Sequence, residues 1–122
     1  MALRIASDDD YEAMFGMPAP AAWHGLVAAS DWLIEGLGCV YRCTEGRWWL
    51  GFARSPGVRK TKTAHAGARA LLAHADREDL TLHAIADPAI RGAEMWIARL
   101  GFERTDEQRQ GLTIWIRRPQ PR

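Results

Sequence analysis

Residues 47–76, RWWLGFARSPGVRKTKTAHAGARALLAHAD, decide the reading of this chain, because they join its most apolar strand signal to its longest helical one. Trp48 to Ala53 is a short continuous apolar run, broken by Ser55-Pro56-Gly57. That is the pattern of a strand buried on both faces and therefore central in its sheet. Successive side chains of a strand face opposite layers, so one of Trp48 and Trp49 belongs under the following helix and the other on the far side. Downstream, Ala64, Ala68, Leu71, Leu72 and Ala75 recur at steps of three and four and form an apolar stripe, with Lys62, His65, Arg69 and Arg77 mainly off it. The charges of this helix oppose its dipole: Arg59, Lys60 and Lys62 stand at the N-terminal end, and Asp76, Glu78 and Asp79 at the other. Each such placement costs about 0.3–1 kcal/mol when exposed. The cations therefore mark either an anion site beside the free N–H groups or a solvated basic edge.

Working back from this stretch, Thr44-Glu45-Gly46 is a hairpin turn, so the strand before it is the antiparallel neighbour of the tryptophan strand. From Leu33 to Cys43, the residues Leu33, Glu35, Leu37, Cys39 and Tyr41 share one face, and Ile34, Gly36, Gly38, Val40 and Arg42 the other. Two glycines on one face point to a close backbone approach or a bulge. Ser30-Asp31 is a turn, Gly25 to Ala29 a weak strand, and Ala21 to His24 one helical turn after the breaks at Pro18 and Pro20. Ser7, followed by Asp8, Asp9 and Asp10, starts a helix that Gly16 stops, and Leu3 to Ala6 is the first strand.

On the other side, Leu80 to Ala86 reads as a strand and Asp87-Pro88 as a helix start, with Asp87 as the cap. That helix carries Ala93, Trp96, Ile97 and Leu100 on one face and ends at Gly101. Phe102 to Gln108 and Leu112 to Arg117 close the chain as a strand pair, with Leu112, Ile114 and Ile116 inward. The order is α+β, with a mixed, mainly antiparallel sheet. Residues 1–118 form a single domain and 119–122 a flexible tail.

At 122 residues the chain is large enough for one core without staples, and its net charge of +1 lacks the overall basic excess of a nucleic-acid binder. The local cluster at 59–62 is all that favours a nucleic-acid or nucleotide partner. No apolar run approaches a membrane span, and the N-terminus lacks a signal-peptide layout, which together with two unframed thiols points to the cytoplasm. Cys39 and Cys43 lie about 13 Å apart on an extended strand, too far to bridge, and are both expected to be buried. No Cys, His and carboxylate cluster has metal-ligand spacing.

The element order, with WIARLGFE at 96–103, LRIASDDDYEAM at 3–14 and LIEGLGCVYR at 33–42, resembles the GCN5-related N-acetyltransferase (GNAT) superfamily over nearly the whole chain. The resemblance implies a GNAT-like, acyl-CoA N-acyltransferase fold with helices on both sheet faces. It also implies acetyl-CoA as cosubstrate, and transfer of an acetyl group to an amine whose identity it does not give. The family's pyrophosphate loop falls on Val58, Thr63, Ala64, His65, Ala66, Gly67 and Ala68. Val58 and Ala68 fit its pattern, whereas Thr63 replaces Gln or Arg and Ala66 replaces Gly. The family's tyrosine acid falls on Ile97, its strand glutamate is missing between Trp48 and Ala53, and Asp87 stands where many members carry Asn. Short degenerate proteins resembling this one are encoded by tailed phages and prophages. An alternative is therefore a catalytically degenerate protein with a binding or assembly role and a phage or prophage partner.

Among the remaining groups, His83 and Glu35 are the candidate catalytic residues. His83 lies on the strand before Asp87, near where the acyl group sits in this fold, and an imidazole suits general-base work. Glu35 is a carboxylate on a sheet face, Tyr41 a candidate acid that burial would silence, and His24 follows the bend where these folds shape the acceptor site. For each, the plain alternative is a packed or solvated side chain with no role in chemistry.

Overall fold

The computed structural model describes residues 2–29, 34–55 and 61–121. The expected Ser30-Asp31 turn, Val58, Arg59 and Lys60 fall outside the described residues, as does the side chain of Lys62.

The elements, in order, are β1 (Ala2–Ile5), α1 (Asp8–Phe15), β2 (Trp23–Ala29), β3 (Ile34–Arg42), β4 (Trp48–Arg54), α2 (Thr61–Arg77), β5 (Leu82–Ile85), α3 (Ala93–Arg99), β6 (Glu103–Arg109) and β7 (Leu112–Arg117). They build one seven-stranded sheet of order β1-β2-β3-β4-β5-β7-β6. Every pairing is antiparallel except β4 with β5, the pair that α2 connects.

Local chemistry explains the start. Ser7 Oγ accepts the Asp10 N–H (3.2 Å) while Asp10 Oδ2 accepts the Ser7 N–H (2.8 Å), a reciprocal cap for α1. Arg4 clasps the same carboxylate at 2.6 and 3.1 Å, so Asp10 is held well below the usual carboxylate range, first by Arg4 and then by Ser7. Gly16, at φ 72°, ends the helix.

The sheet separates two cores. On one face Ala68, Leu71, Leu72 and Ala75 of α2, Ile97 of α3 and Leu100 just after it pack on Val40, Leu50, Leu82, Ala84 and Trp115. On the other, Tyr11 and its neighbours on α1 pack on Val27, Leu37 and Cys39. Helices thus cover both faces. The alternation expected for β3 holds from Leu37 to Tyr41, with Val40 in the first core and Leu37, Cys39 and Tyr41 in the second. It breaks at the bulge before Gly36, so Ile34, expected on the Val40 face, packs with Leu37 and Cys39 instead, and Leu33 lies outside the described residues. Cys39 is buried, which pushes its thiol up to about 12, whereas Cys43 is half-buried with its thiol 3.3 Å from Glu45 Oε1. The hairpin position of Cys43, at the end of β3, explains why only one cysteine is in the core.

Several expectations are corrected. Trp23 and His24 belong to β2 rather than to a helical turn, because their backbones pair with Tyr41 and Val40. β4 is buried on both faces only at Trp49 and Leu50; Phe52 is 39% exposed. Asp87 does not cap α3: its carboxylate accepts the Ala89 N–H (2.9 Å) in a local turn, and the helix begins at Ala93 behind Gly92, at φ 80°, with no side-chain cap. On β7 the expected inward row is only partly inward. Ile114 is buried, but so are Trp115 and Arg117 on the other face, where Arg117 forms a bidentate pair with Asp76 at 2.8 and 3.2 Å and donates Nε–H to the Leu100 carbonyl.

Candidate functional site

The site originates in a short register. β4 and β5 pair in parallel only at Trp48–Leu82 and Trp49–His83, and beyond those two rungs the strands part. β4 runs on to Arg54 and β5 to Ile85, each still paired to its outer neighbour. The backbone edges that face each other across the gap lack a sheet partner there, and such an edge readily accepts an extended chain.

The gap opens into a cleft of about 760 Å³, within the ~300–1,000 Å³ usual for ligand sites. Its floor is Gly36, Gly38, Gly51 and Ala53, with Ala84 and Ala86 across the gap. One wall is the N-terminal half of α2 through Thr63, Ala64, Gly67 and Leu71; the other is the turn at 87–92 and Trp96 of α3. Trp96 spans the two walls, donating its indole N–H to His65 Nδ1 (3.3 Å) and lying 5.1 Å from the Phe52 ring. Because that nitrogen accepts, the His65 proton resides on Nε2.

The segment expected to form a pyrophosphate loop is already helical. With α2 starting at Thr61, amides from His65 onward bond to carbonyls four residues back, and only those at its first turn remain free for an anion. Thr63 and Ala64 are at that turn, and with Gly67 they face the cleft; His65 and Ala66 do not line it, and Ala68 is fully buried against the sheet. Ala64, placed on the apolar stripe by its spacing, is exposed at the cleft rather than in the core. Ala66 points its methyl to solvent, so it does not crowd the cleft.

The two candidate catalytic residues are not brought together. Glu35 lines the cleft, at the bulge where the register steps from Ala28–Gly36 to Ala29–Ile34. His83 is on the opposite sheet face, beside the last β4–β5 rung, and does not line the cleft. Its Nδ1 lies 3.2 Å from the Trp48 carbonyl, and a carbonyl only accepts, so Nδ1 carries the proton and Nε2 offers a lone pair. Ile97 is buried in the α2–α3 core and supplies no acid. His24 is also away from the cleft, stacked on His74 of α2 with ring centroids 4.0 Å apart. Burial, then the nearby His74 and Arg77, holds its imidazole below the ordinary range.

Sequence reasoning passed over Gly51, Phe52, Asp87 and Trp96 as cleft residues. A signal existed for one of them: a glycine inside an otherwise bulky strand marks a close approach. Among the described residues no group of three or more His, Cys, Asp or Glu is arranged to hold a metal, and no helix is long and apolar enough to cross a membrane.

No protein-family model and no curated protein matches the sequence. Solved structures do. A phosphinothricin acetyltransferase of the GNAT superfamily from Sinorhizobium meliloti, in complex with AcCoA, superposes with a TM-score of 0.65 at 14% identity, over 89% of this chain and 65% of that one. This chain therefore spans somewhat under two thirds of that enzyme. An acyl-CoA N-acyltransferase from Pseudomonas aeruginosa gives 0.63 at 19% identity over 84% and 72%. A protein from Streptococcus mutans gives 0.67 at 15% identity over 98% and 100%. With its single parallel rung pair, its crossover helix and these neighbours, the chain has the GNAT, acyl-CoA N-acyltransferase, fold.

Proposed function

We propose that the protein is an acyl-CoA-dependent N-acyltransferase, which takes an acetyl group from acetyl-CoA and delivers it to an amine in the cytoplasm. The observation that carries this reading is the parting of β4 from β5 beside the N-terminus of α2. An extended, amide-bearing arm fits between the two unpaired strand edges, and a pyrophosphate fits the free N–H groups of the first turn of α2. Thr63 and Ala64, which line the cleft at that turn, support this reading. Acetyl-CoA supplies an activated thioester, and the protein supplies position and proton transfer.

With one face of the gap filled by the acyl donor, the amine comes from the other face. His83 stands there at the vertex of the gap, and its Nε2 lone pair suits removal of the amine proton. Glu35 lies on the donor side and suits electrostatic guidance better than proton removal.

One observation favours a second reading, a non-catalytic GNAT-like binding or assembly protein: the expected loop residues from Thr63 to Ala68 lie within α2, whose amides from His65 onward are bonded inside the helix. Calorimetry with acetyl-CoA separates the two. The acyltransferase reading expects saturable binding with Kd below ~1 mM, about −4 kcal/mol or better. No heat at that concentration would remove it in favour of the assembly role.

A further inference from the structure

β6 is an edge strand, separated from β4 by β5 and β7, yet two of its side chains reach back to the β3–β4 turn. Arg109 Nη2 meets Glu45 Oε1 at 2.6 Å, and Arg47 Nη1 meets Glu107 Oε2 at 2.7 Å. A bulge brings β6 there. Arg104 pairs with Trp115 and Gln108 with Thr113, so Thr105, Asp106 and Glu107 oppose Ile114 alone, and such extra residues bend a strand. Thr105 pins the bend, donating its hydroxyl to the Ile114 carbonyl (2.6 Å) and accepting the Glu107 N–H (3.1 Å). Arg109 thereby comes to lie over Trp49, with its guanidinium 4.8 Å from the ring centroid. The His83 ring is 5.5 Å from that same indole, and Glu107 is within electrostatic reach of His83.

We propose that the acceptor is a diamine, of which one nitrogen is acylated beside His83 while the other, as a cation, takes the place of the Arg109 guanidinium over Trp49 and faces Glu45. The assignment rests on the acyltransferase reading. In the step, one proton of the reacting ammonium goes to His83 Nε2, the nitrogen bonds to the thioester carbonyl carbon and the C–S bond breaks. The thiolate takes the second nitrogen proton through solvent, and the imidazolium releases its own to solvent. The products are a mono-amide that keeps one charged nitrogen, a free thiol and a proton.

The charge of the second group follows from what surrounds its place. The face of an indole is negative and attracts cations. Glu45 and Glu107 are held below the ordinary carboxylate range, Glu45 first by Arg109 and Glu107 first by Arg47, so both are ionised at neutral pH. An ammonium that enters for Arg109 leaves the charge of the site unchanged. The displaced guanidinium, whose side chain is 42% exposed, turns out to water, and exposed ion pairs are weak enough for such an exchange. A carboxylate in the same place would face the indole and two like charges. The 5.5 Å between the Trp49 and His83 rings calls for a short, flexible spacer between the two nitrogens.

The test compares acceptors of matched length, cadaverine, pentylamine and aminovalerate, by the free thiol each releases from acetyl-CoA. In wild type, kcat/KM for cadaverine should exceed that for pentylamine about tenfold or more, with aminovalerate lowest. Glu45→Gln removes the carboxylate that faces the second nitrogen and should cut the cadaverine-to-pentylamine ratio about threefold or more, chiefly through KM. Arg109→Gln removes the resident cation and should lower KM for cadaverine several-fold. A wild-type ratio near one, a ratio that Glu45→Gln leaves unchanged, or turnover of none of the three with acetyl-CoA bound overturns the assignment alone. Absence of acetyl-CoA binding in wild type, seen by calorimetry before any turnover assay, overturns the acyltransferase reading with it.

Discussion

The two halves of α2 face different tasks. From Leu71 to Arg77 the helix is fastened down: Leu71, Leu72 and Ala75 are buried, and Asp76 is clasped by Arg117 and by the Gln120 amide (3.0 Å). From Thr63 to Gly67 the cleft-facing side chains are small and leave open space, and the nearest atom to a Cβ on Gly67 would be Leu3 Cδ2 at 3.8 Å. One half holds the sheet and the other leaves room beside it. A single rigid rod thus carries stability at one end and a binding wall at the other, and the two properties should be separable by mutation.

The largest effect is expected where the fastening is tightest. Asp76→Ala leaves the Arg117 guanidinium, 6% exposed, without its carboxylate, and should cost ~3–5 kcal/mol in chemical denaturation. Acetyl-CoA affinity of the folded variant should stay within about threefold, because additivity holds for distant sites. Parallel loss of both would break the division between the halves.

A smaller effect, of opposite sign on the two properties, is expected at the other end. Gly67→Ala should stabilise the helix by up to ~1 kcal/mol, since its new methyl meets only ordinary van der Waals contact. The same methyl projects toward the cleft and should weaken acetyl-CoA binding several-fold. Thermal unfolding and calorimetry on one preparation check both signs, and a rise in affinity would contradict the placement of this face.

The smallest effect is a pH dependence. The His24 imidazole, stacked on His74, titrates below its unfolded value of about 6.5. In the window between the two values the unfolded chain binds more protons, so stability rises with pH there. The contribution is present above about 6.5 and lost as pH falls through the folded value. His24→Gln should flatten the dependence of the melting temperature between pH 5 and 7.5. The Asp10 contribution, from a carboxyl held low by Arg4, is lost only at far more acid pH.

How far the sequence spoke follows the range of each interaction. The Ser7–Asp10 cap, the Gly16 stop, the turn at 44–46 and the α2 stripe are written within a few residues of each other, and local chemistry was enough to read them. Asp87 shows the limit of local reading. Asp-Pro is a good helix start, but its carboxylate served the Ala89 amide in a turn and left α3 to begin behind Gly92. The burial of Arg117 depends on Asp76, 41 positions away, and appears in no window. The cleft is of this second kind. It exists because β4 and β5 share two rungs and then diverge, a consequence of packing across the whole sheet, so no motif between residues 47 and 87 announces it. The expected loop residues were legible only by resemblance, and the face they present was set by where the helix begins.

The division between fastened and open regions is tested most directly by amide hydrogen exchange with and without saturating acetyl-CoA. The account predicts slowed exchange at Leu50 to Ala53 on the open edge of β4, at Ala84 to Ala86 and at the first turn of α2, with residues 71–77 unchanged. Protection confined to 71–77, or none at saturation, would contradict it.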